Sequence, residues 1–183
     1  MEQTKKGFTL VELLIVIGIL GVLASAVVVV LNPAELLKQA RDSQRLQDLS
    51  SINSALGLYL VSTSSPAVGT GVTTVTQASG ACDEAMTAST TAVRTTGGVG
   101  WVYVDFDELT GGSPLSVLPI DPTNSGNYAY CYNGSSTTDT WELTTVLEST
   151  KYATTEDLDG GDGGTDAAVY EIGNDPGLDL ITD

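Results

Sequence analysis

Four aspartates near the carboxyl end, Asp157, Asp159, Asp162 and Asp166, are interleaved with Gly160, Gly161, Gly163 and Gly164. Calcium takes roughly six to eight oxygen ligands, and closely spaced aspartates on a glycine-bent loop can supply several from carboxylates and backbone carbonyls. The run partly resembles an EF-hand loop but lacks its spacing and its closing glutamate, and a solvated acidic loop whose glycines serve turns is the alternative reading. Asp175 and Asp179, flanking Pro176-Gly177, are weaker candidates. A second chemical feature is Glu12, the only ionisable residue between Phe8 and Leu31. A carboxylate inside so apolar a segment costs a few kcal/mol unless it finds a partner. The third is the pair Cys82 and Cys131. In an oxidising compartment an isolated pair is most simply a disulfide, worth about 4 kcal/mol for a loop of about 50 residues. Two buried free thiols are the alternative, and two cysteines without histidine make a poor zinc site.

Other chemistries are excluded by what is missing. The chain has no histidine for a triad, no phosphate-binding glycine loop and no zinc-ligand spacing. Asp105 and Asp107 have the residue type of a glycosidase pair, but nothing around them builds a sugar cleft. We expect no enzyme and no required cofactor. The net charge of −16 over 183 residues repels phosphate backbones, so nucleic acid is not a partner by bulk charge.

The elements that must position these residues follow from periodicity. From Leu13 to Leu31 the one polar side chain is Ser25, and a helix of that length rises about 28 Å, close to the ~30 Å hydrocarbon core of a bilayer. A secretory signal peptide carries a shorter core and ends, rather than begins, at a small residue. A single-pass anchor with Glu12 snorkelling to the interface is the plainer reading of the segment. Asn32-Pro33 interrupts the pattern, Pro33 either kinking a continuous helix or opening a new one with Asn32 as its cap. Beyond it Leu46, Leu49, Ile52, Leu56 and Tyr59 fall on one face of a helix running to about Val61. Lys38, Arg41 and Arg45 share a spacing on that helix, either meeting carboxylates of adjacent subunits or forming a solvated face. Ser62 to Gly100 has little periodicity. Period-two alternation then predicts strands at Trp101–Phe106, Asn127–Tyr132 and Trp141–Leu147, an antiparallel meander. Leu118-Pro119-Ile120-Asp121-Pro122 is too rich in proline for helix or central strand and reads as a rigid connector.

The run Lys5-Lys6-Gly7-Phe8-Thr9-Leu10-Val11-Glu12-Leu13-Leu14 resembles the leader and mature start of type IV prepilins and type II secretion pseudopilins. The Leu118–Pro122 connector is similar to the Leu-Pro-x-Asp-Pro loop of Gram-positive-type pilins and major pseudopilins, and the acidic loop is similar to the calcium loop of the latter, with a different acidic order. The resemblance covers roughly residues 5 to 60 and 100 to 150. It implies cleavage after Gly7 by a prepilin peptidase, N-methylation of Phe8, and pairing of Glu12 with the Phe8 amine of a neighbouring subunit. Cleavage removes Glu2, Lys5 and Lys6 and takes the side-chain charge from −16 to −17.

The expectation is therefore an α+β pilin fold, a long helix packed on an antiparallel sheet of three to four strands. Residues 1–7 form the leader, 8–31 the membrane and fibre-core helix, 32–61 its amphipathic half, and 62–183 an exported head with a variable loop (62–100) and the sheet (101–183). The expected function is a pilus subunit for adhesion, motility or DNA uptake. The alternatives are the major pseudopilin of a type II secretion system and a monomeric membrane-anchored calcium-binding domain. The implied partners are further copies of the chain, the prepilin peptidase and an inner-membrane assembly platform with its ATPase motor. The implied location is the membrane before assembly and the cell surface after it.

Overall fold

The computed structural model describes residues 7–69, 74–76 and 93–181, and the chain divides into two units, Met1–Leu37 and Lys38–Asp183. The first is dominated by α1, Leu10–Leu31, none of whose residues is buried. A helix that is apolar all round has no stripe with which to dock on a single globular partner, and it is suited to lipid or to a bundle. Asn32 ends it in the left-handed region (φ 41), and Pro33 occupies the first turn of α2, Pro33–Ser62. The amides of Glu35 and Leu36 donate to the Asn32 carbonyl at 3.0 and 3.3 Å. Of the two roles expected for Pro33, opening a new helix is the one adopted, while Asn32 closes α1 instead of capping α2 with its side chain.

In the second unit α2 packs on a four-stranded antiparallel sheet, an α+β arrangement. Strands β1 (Thr74–Val75), β2 (Tyr130–Ser135), β3 (Thr140–Thr145) and β4 (Tyr170–Gly173) neighbour one another in chain order. Leu49, Ile52, Leu56 and Tyr59 are buried as their spacing predicts, against Tyr130, Tyr132, Trp141 and Leu143 from the facing side of the sheet. Two polar clasps fix the register of helix on sheet. Tyr130 donates its hydroxyl to Asp48 at 2.8 Å, and the Trp141 indole donates to Asn53 at 2.8 Å. The alternation read for β2 holds, since Ala129 and Cys131 turn to the other face and join Val75 and Ile181 in a smaller apolar cluster. β1 lies within the variable segment of residues 62–100, and β4 falls in the sheet region of residues 101–183 at a place where alternation marked no strand.

The strand expected at Trp101–Phe106 does not form. Trp101, Val102, Val104 and Phe106 are all buried in the main core, so side chains predicted for opposite faces enter the same apolar space. The backbone is instead pinned by loop contacts. Trp101 donates to the Val93 carbonyl, Phe106 to Thr96 and Leu118 to Arg94, and the Trp101 indole donates to the Pro119 carbonyl at 2.9 Å. A short 3-10 turn, Phe106–Glu108, follows, with the Asp105 carboxylate accepting from the Asp107 amide. Burial of aromatic rings against α2 outweighs the local strand preference.

The Cys131 sulfur is buried and disulfide-bonded. The expected pairing also involves Cys82, which lies outside the described residues.

Candidate functional site

At the amino end, Thr9 and Glu12 build a reciprocal cap on α1. The Glu12 amide donates to Thr9 Oγ1 at 3.2 Å, while the Thr9 amide and hydroxyl donate to Glu12 Oε2 at 2.9 and 2.8 Å. This is the capping box that Ser/Thr-x-x-Glu spacing favours, a signal present in the sequence and passed over there. Phe8 is 86% exposed, with nothing of the described chain covering it. The carboxylate of Glu12 thus sits one turn from Phe8, held by a light, solvent-facing pair of hydrogen bonds. Such a group is free to exchange its cap for a stronger cationic partner.

A second polar centre joins α2 to the head. Arg45 is fully buried and donates from Nε to Asp121 at 2.6 Å, from Nη1 to Asp42 at 2.7 Å and from Nη2 to Glu148 at 2.6 Å. Its guanidinium also lies 5.0 Å from the centre of the Tyr128 ring. Arg41 holds Glu148 from the other side with two bonds of 2.9 and 2.6 Å. Both expectations for these cations, pairing with adjacent subunits or a solvated face, are therefore corrected for Arg41 and Arg45: their partners lie within the same chain. The reason is distance along the sequence, because Asp121 and Glu148 arrive from loops that helix periodicity does not report. Asp121 is the aspartate of the proline-rich connector, and its Oδ1 also accepts from the Thr123 and Asn124 amides at 2.7 and 2.9 Å. Asp42 accepts in turn from the Glu148 and Ser149 amides.

The electrostatics of this cluster have a definite sign. Burial opposes the Arg45 cation, but the hydrogen bonds and attraction of Asp121, Glu148 and Asp42 outweigh it and hold the guanidinium above its usual range. Hydrogen bonding from Arg41, then from Arg45, pulls Glu148 down to about 2. A carboxyl lowered on folding contributes stability that is complete above its unfolded value of 4.5 and is lost as the pH falls from there through about 2.

The four aspartates proposed from sequence are close in the chain but do not converge. Asp157 is exposed, with a left-handed backbone (φ 52). Asp159 is buried, its Oδ1 has no hydrogen-bond partner, and burial raises its carboxyl above the usual range. Asp162 accepts from the Gly164 amide at 3.0 Å and the Glu171 amide at 2.6 Å. Asp166 accepts from the Ala168 amide at 2.8 Å, and Asp175 from the Asp179 amide at 3.3 Å. Beside this loop lies a cavity of about 340 Å³ whose lining includes Glu156, Asp157, Asp162, Tyr170 and Glu171. Among the described residues no group of three or more carboxylates, cysteines or histidines is placed to hold a metal ion. Most of these carboxylates instead accept from the loop's own amides, a turn-forming role. Gly164 permits the approach, because a Cβ there would overlap the Glu171 carboxylate. Replacing Asp162 by alanine removes the acceptor for two amides, one of them at the start of β4. We expect it to cost about 1–3 kcal/mol, read as a lower urea midpoint at constant m-value.

Glu142 and Glu171 were missed at the sequence level. Glu142 alternates within β3 as if it faced solvent, but the carboxyl-terminal segment covers that side of the sheet: the Leu180 and Ile181 amides donate to Glu142 Oε2 at 2.8 and 3.0 Å.

One helix, near the amino end, is long and apolar enough to cross a membrane among the described residues. The prokaryotic N-terminal methylation motif matches residues 3–28, a stretch that holds Gly7 at the end of the expected leader, Phe8 and Glu12. No curated protein and no solved structure matches the chain.

Proposed function

From a chain that carries the prepilin-type leader and methylation motif of type IV pilins and pseudopilins, we propose a filament subunit that is cut after Gly7, methylated at Phe8 and polymerised into a surface pilus serving adhesion, motility or DNA uptake. The observation that carries the reading is the juxtaposition in one short segment: the motif, an α1 with no buried residue, and Glu12 one turn from Phe8. Lys5 and Lys6 keep the amino end cytoplasmic, and the head is exported. Assembly replaces lipid contacts with helix-to-helix packing, where Gly18, Gly21, Ala24, Ser25 and Ala26 allow close approach. The chain supplies no energy for this, so the motor and platform are separate proteins. Cys82 and Cys131 pair in the exported head.

A major pseudopilin is the second reading, favoured by the acidic glycine-rich loop and the cavity beside it. Calcium is the ligand this reading assigns to that loop, and Asp157, Asp159, Asp162 and Asp166, which do not converge in the structure, would have to close around it. Deleting the gene separates the two: loss of surface fibres by electron microscopy with secretion intact supports the pilus, and the converse supports the pseudopilus. Intact-mass measurement of the subunit from purified fibres is expected to give a chain beginning at monomethylated Phe8. Fibres whose subunits retain Met1 to Gly7 contradict both readings.

A further inference from the structure

Two acids meet behind the sheet with no cation beside them. Glu142 on β3 is 0% exposed and Glu171 on β4 is 2% exposed. The register sets Glu142 opposite Gly173 and Thr144 opposite Glu171, so the acids lie on one diagonal of the same face, within reach of each other. None of the ion pairs among the described residues includes either one. Two ionised carboxylates buried side by side without a counter-charge are strongly disfavoured, and such pairs relieve the repulsion by sharing a proton.

The hydrogen bonds say which oxygen holds it. Glu142 Oε2 takes both amides, from Leu180 and Ile181. Glu142 Oε1 is buried and meets no donor, while the Glu171 side chain stands within hydrogen-bonding reach of Glu142. Glu171 Oε2 already accepts from the Asp166 amide at 3.1 Å, as an ionised carboxylate would. An oxygen with nothing to accept from, beside an acceptor, is where a hydroxyl belongs.

We propose that Glu142 is a neutral carboxylic acid that donates from Oε1 to Glu171 and, through Oε2, straps the carboxyl-terminal segment across the back of the sheet, and that loss of this proton as the pH rises loosens the strap. Burial above all pushes Glu142 up to about 8; the Ile181 amide pulls against it, the hydrogen bond and charge of Glu171 add to the rise, and the Leu180 amide opposes it least. The facing groups are few. β4 presents Glu171, and the acidic loop adds the charge of Asp162 and the amides of Asp166 and Thr165, all acting on Glu171. β2 presents the Asn133 amide, which donates to the Leu180 carbonyl at 2.7 Å. No basic side chain of the described residues is among them. A carboxyl raised on folding contributes stability that is complete below its unfolded value of 4.5 and is lost as the pH rises through about 8. Ile181 is part of the cluster with Val75, Ala129 and Cys131, so release of the strap also uncovers the face that holds Cys131.

The test is amide hydrogen exchange on the full chain in detergent micelles, free of divalent cations, with rates corrected for the intrinsic effect of pH. Protection of Leu180 and Ile181 is expected to be greatest below about pH 4.5, to fall roughly tenfold per unit from there to about 8, and to level off above it. Glu142→Gln keeps an acceptor for the two amides and a donor toward Glu171, so its protection should persist and lose the fall between about pH 4.5 and 8. Carboxyl carbon-13 shifts of the wild-type chain give an independent reading, with Glu142 titrating near 8. Wild-type protection that does not change across this range overturns the proposal, as does a Glu142 shift that titrates in the ordinary carboxylate range. Protection that appears only when calcium is added overturns it too, because a metal ion and not a proton then joins the two acids. These outcomes bear on the head alone and leave the filament reading to the fibre experiments.

Discussion

Arg45→Met is expected to remove about 3–5 kcal/mol of stability from the head, the usual result of stripping one partner from a buried ionic cluster. Methionine fills much of the volume, so the loss is electrostatic rather than a cavity effect. Asp42 and Asp121 are left buried without the cation that spans them, and Glu148 keeps Arg41 as its one cation, with the Thr123 hydroxyl. The backbone amides on Asp42 and Asp121 remain, which is why the loops should persist in the native state that survives. Arg45→Lys keeps the charge but not the fork that reaches three carboxylates at once, and it is expected to fall between wild type and methionine. Urea denaturation of the full chain in micelles gives the magnitude. The pH dependence gives the cause: the deficit of Arg45→Met should shrink on moving from neutral pH toward pH 4, because the stranded carboxylates can then take up protons. A deficit under about 1 kcal/mol, or one that does not change with pH, would mean that the cluster is held by its amides and not by Arg45.

That cluster also marks how far the sequence could be read. The face of α2 was legible because Leu49, Ile52, Leu56 and Tyr59 repeat at the helical period and enter one core. β2 was legible because Tyr130 and Tyr132 alternate with Ala129 and Cys131, and the two sets do enter different clusters. Arg45 was not, since its partner Asp121 is 76 residues away and nothing local marks the pairing. Trp101–Phe106 shows the opposite failure, a local pattern that is present and irrelevant. Its β-branched and aromatic residues satisfy strand propensity, but the indole bond to Pro119 and the shared burial of neighbouring side chains hold it as a loop. Glu142 shows why acidic residues mislead in alternation arguments, for its polar position in β3 is covered by a tail that contributes its own amides. At the amino end the motif was legible residue by residue, but the role of Thr9 was not, because a lone carboxylate in an apolar segment calls for a cation, whereas the partner within the chain is a neutral cap.

The two partners of Glu12 can be separated by mutation, and the filament reading predicts how. Within one chain Glu12 caps α1 through Thr9, an interaction worth about 0.5–2 kcal/mol. In the proposed fibre its carboxylate faces the Phe8 amine of a neighbour inside an apolar bundle, where leaving either charge unpaired costs about 3–5 kcal/mol. Thr9→Ala should therefore weaken the helix start and leave fibre yield within a few fold of wild type. Glu12→Ala and Glu12→Gln should both reduce yield by roughly two to three orders of magnitude, at about 1.4 kcal/mol per factor of ten, although glutamine can still accept the Thr9 amide. Sheared-fibre yield normalised to membrane-held subunit is the measurement, and immunoblotting of membranes confirms that each variant is made and inserted. Because glutamine preserves the cap and removes only the charge, fibre yield from Glu12→Gln that equals wild type would show that Glu12 serves its own helix and that assembly draws its specificity from another contact.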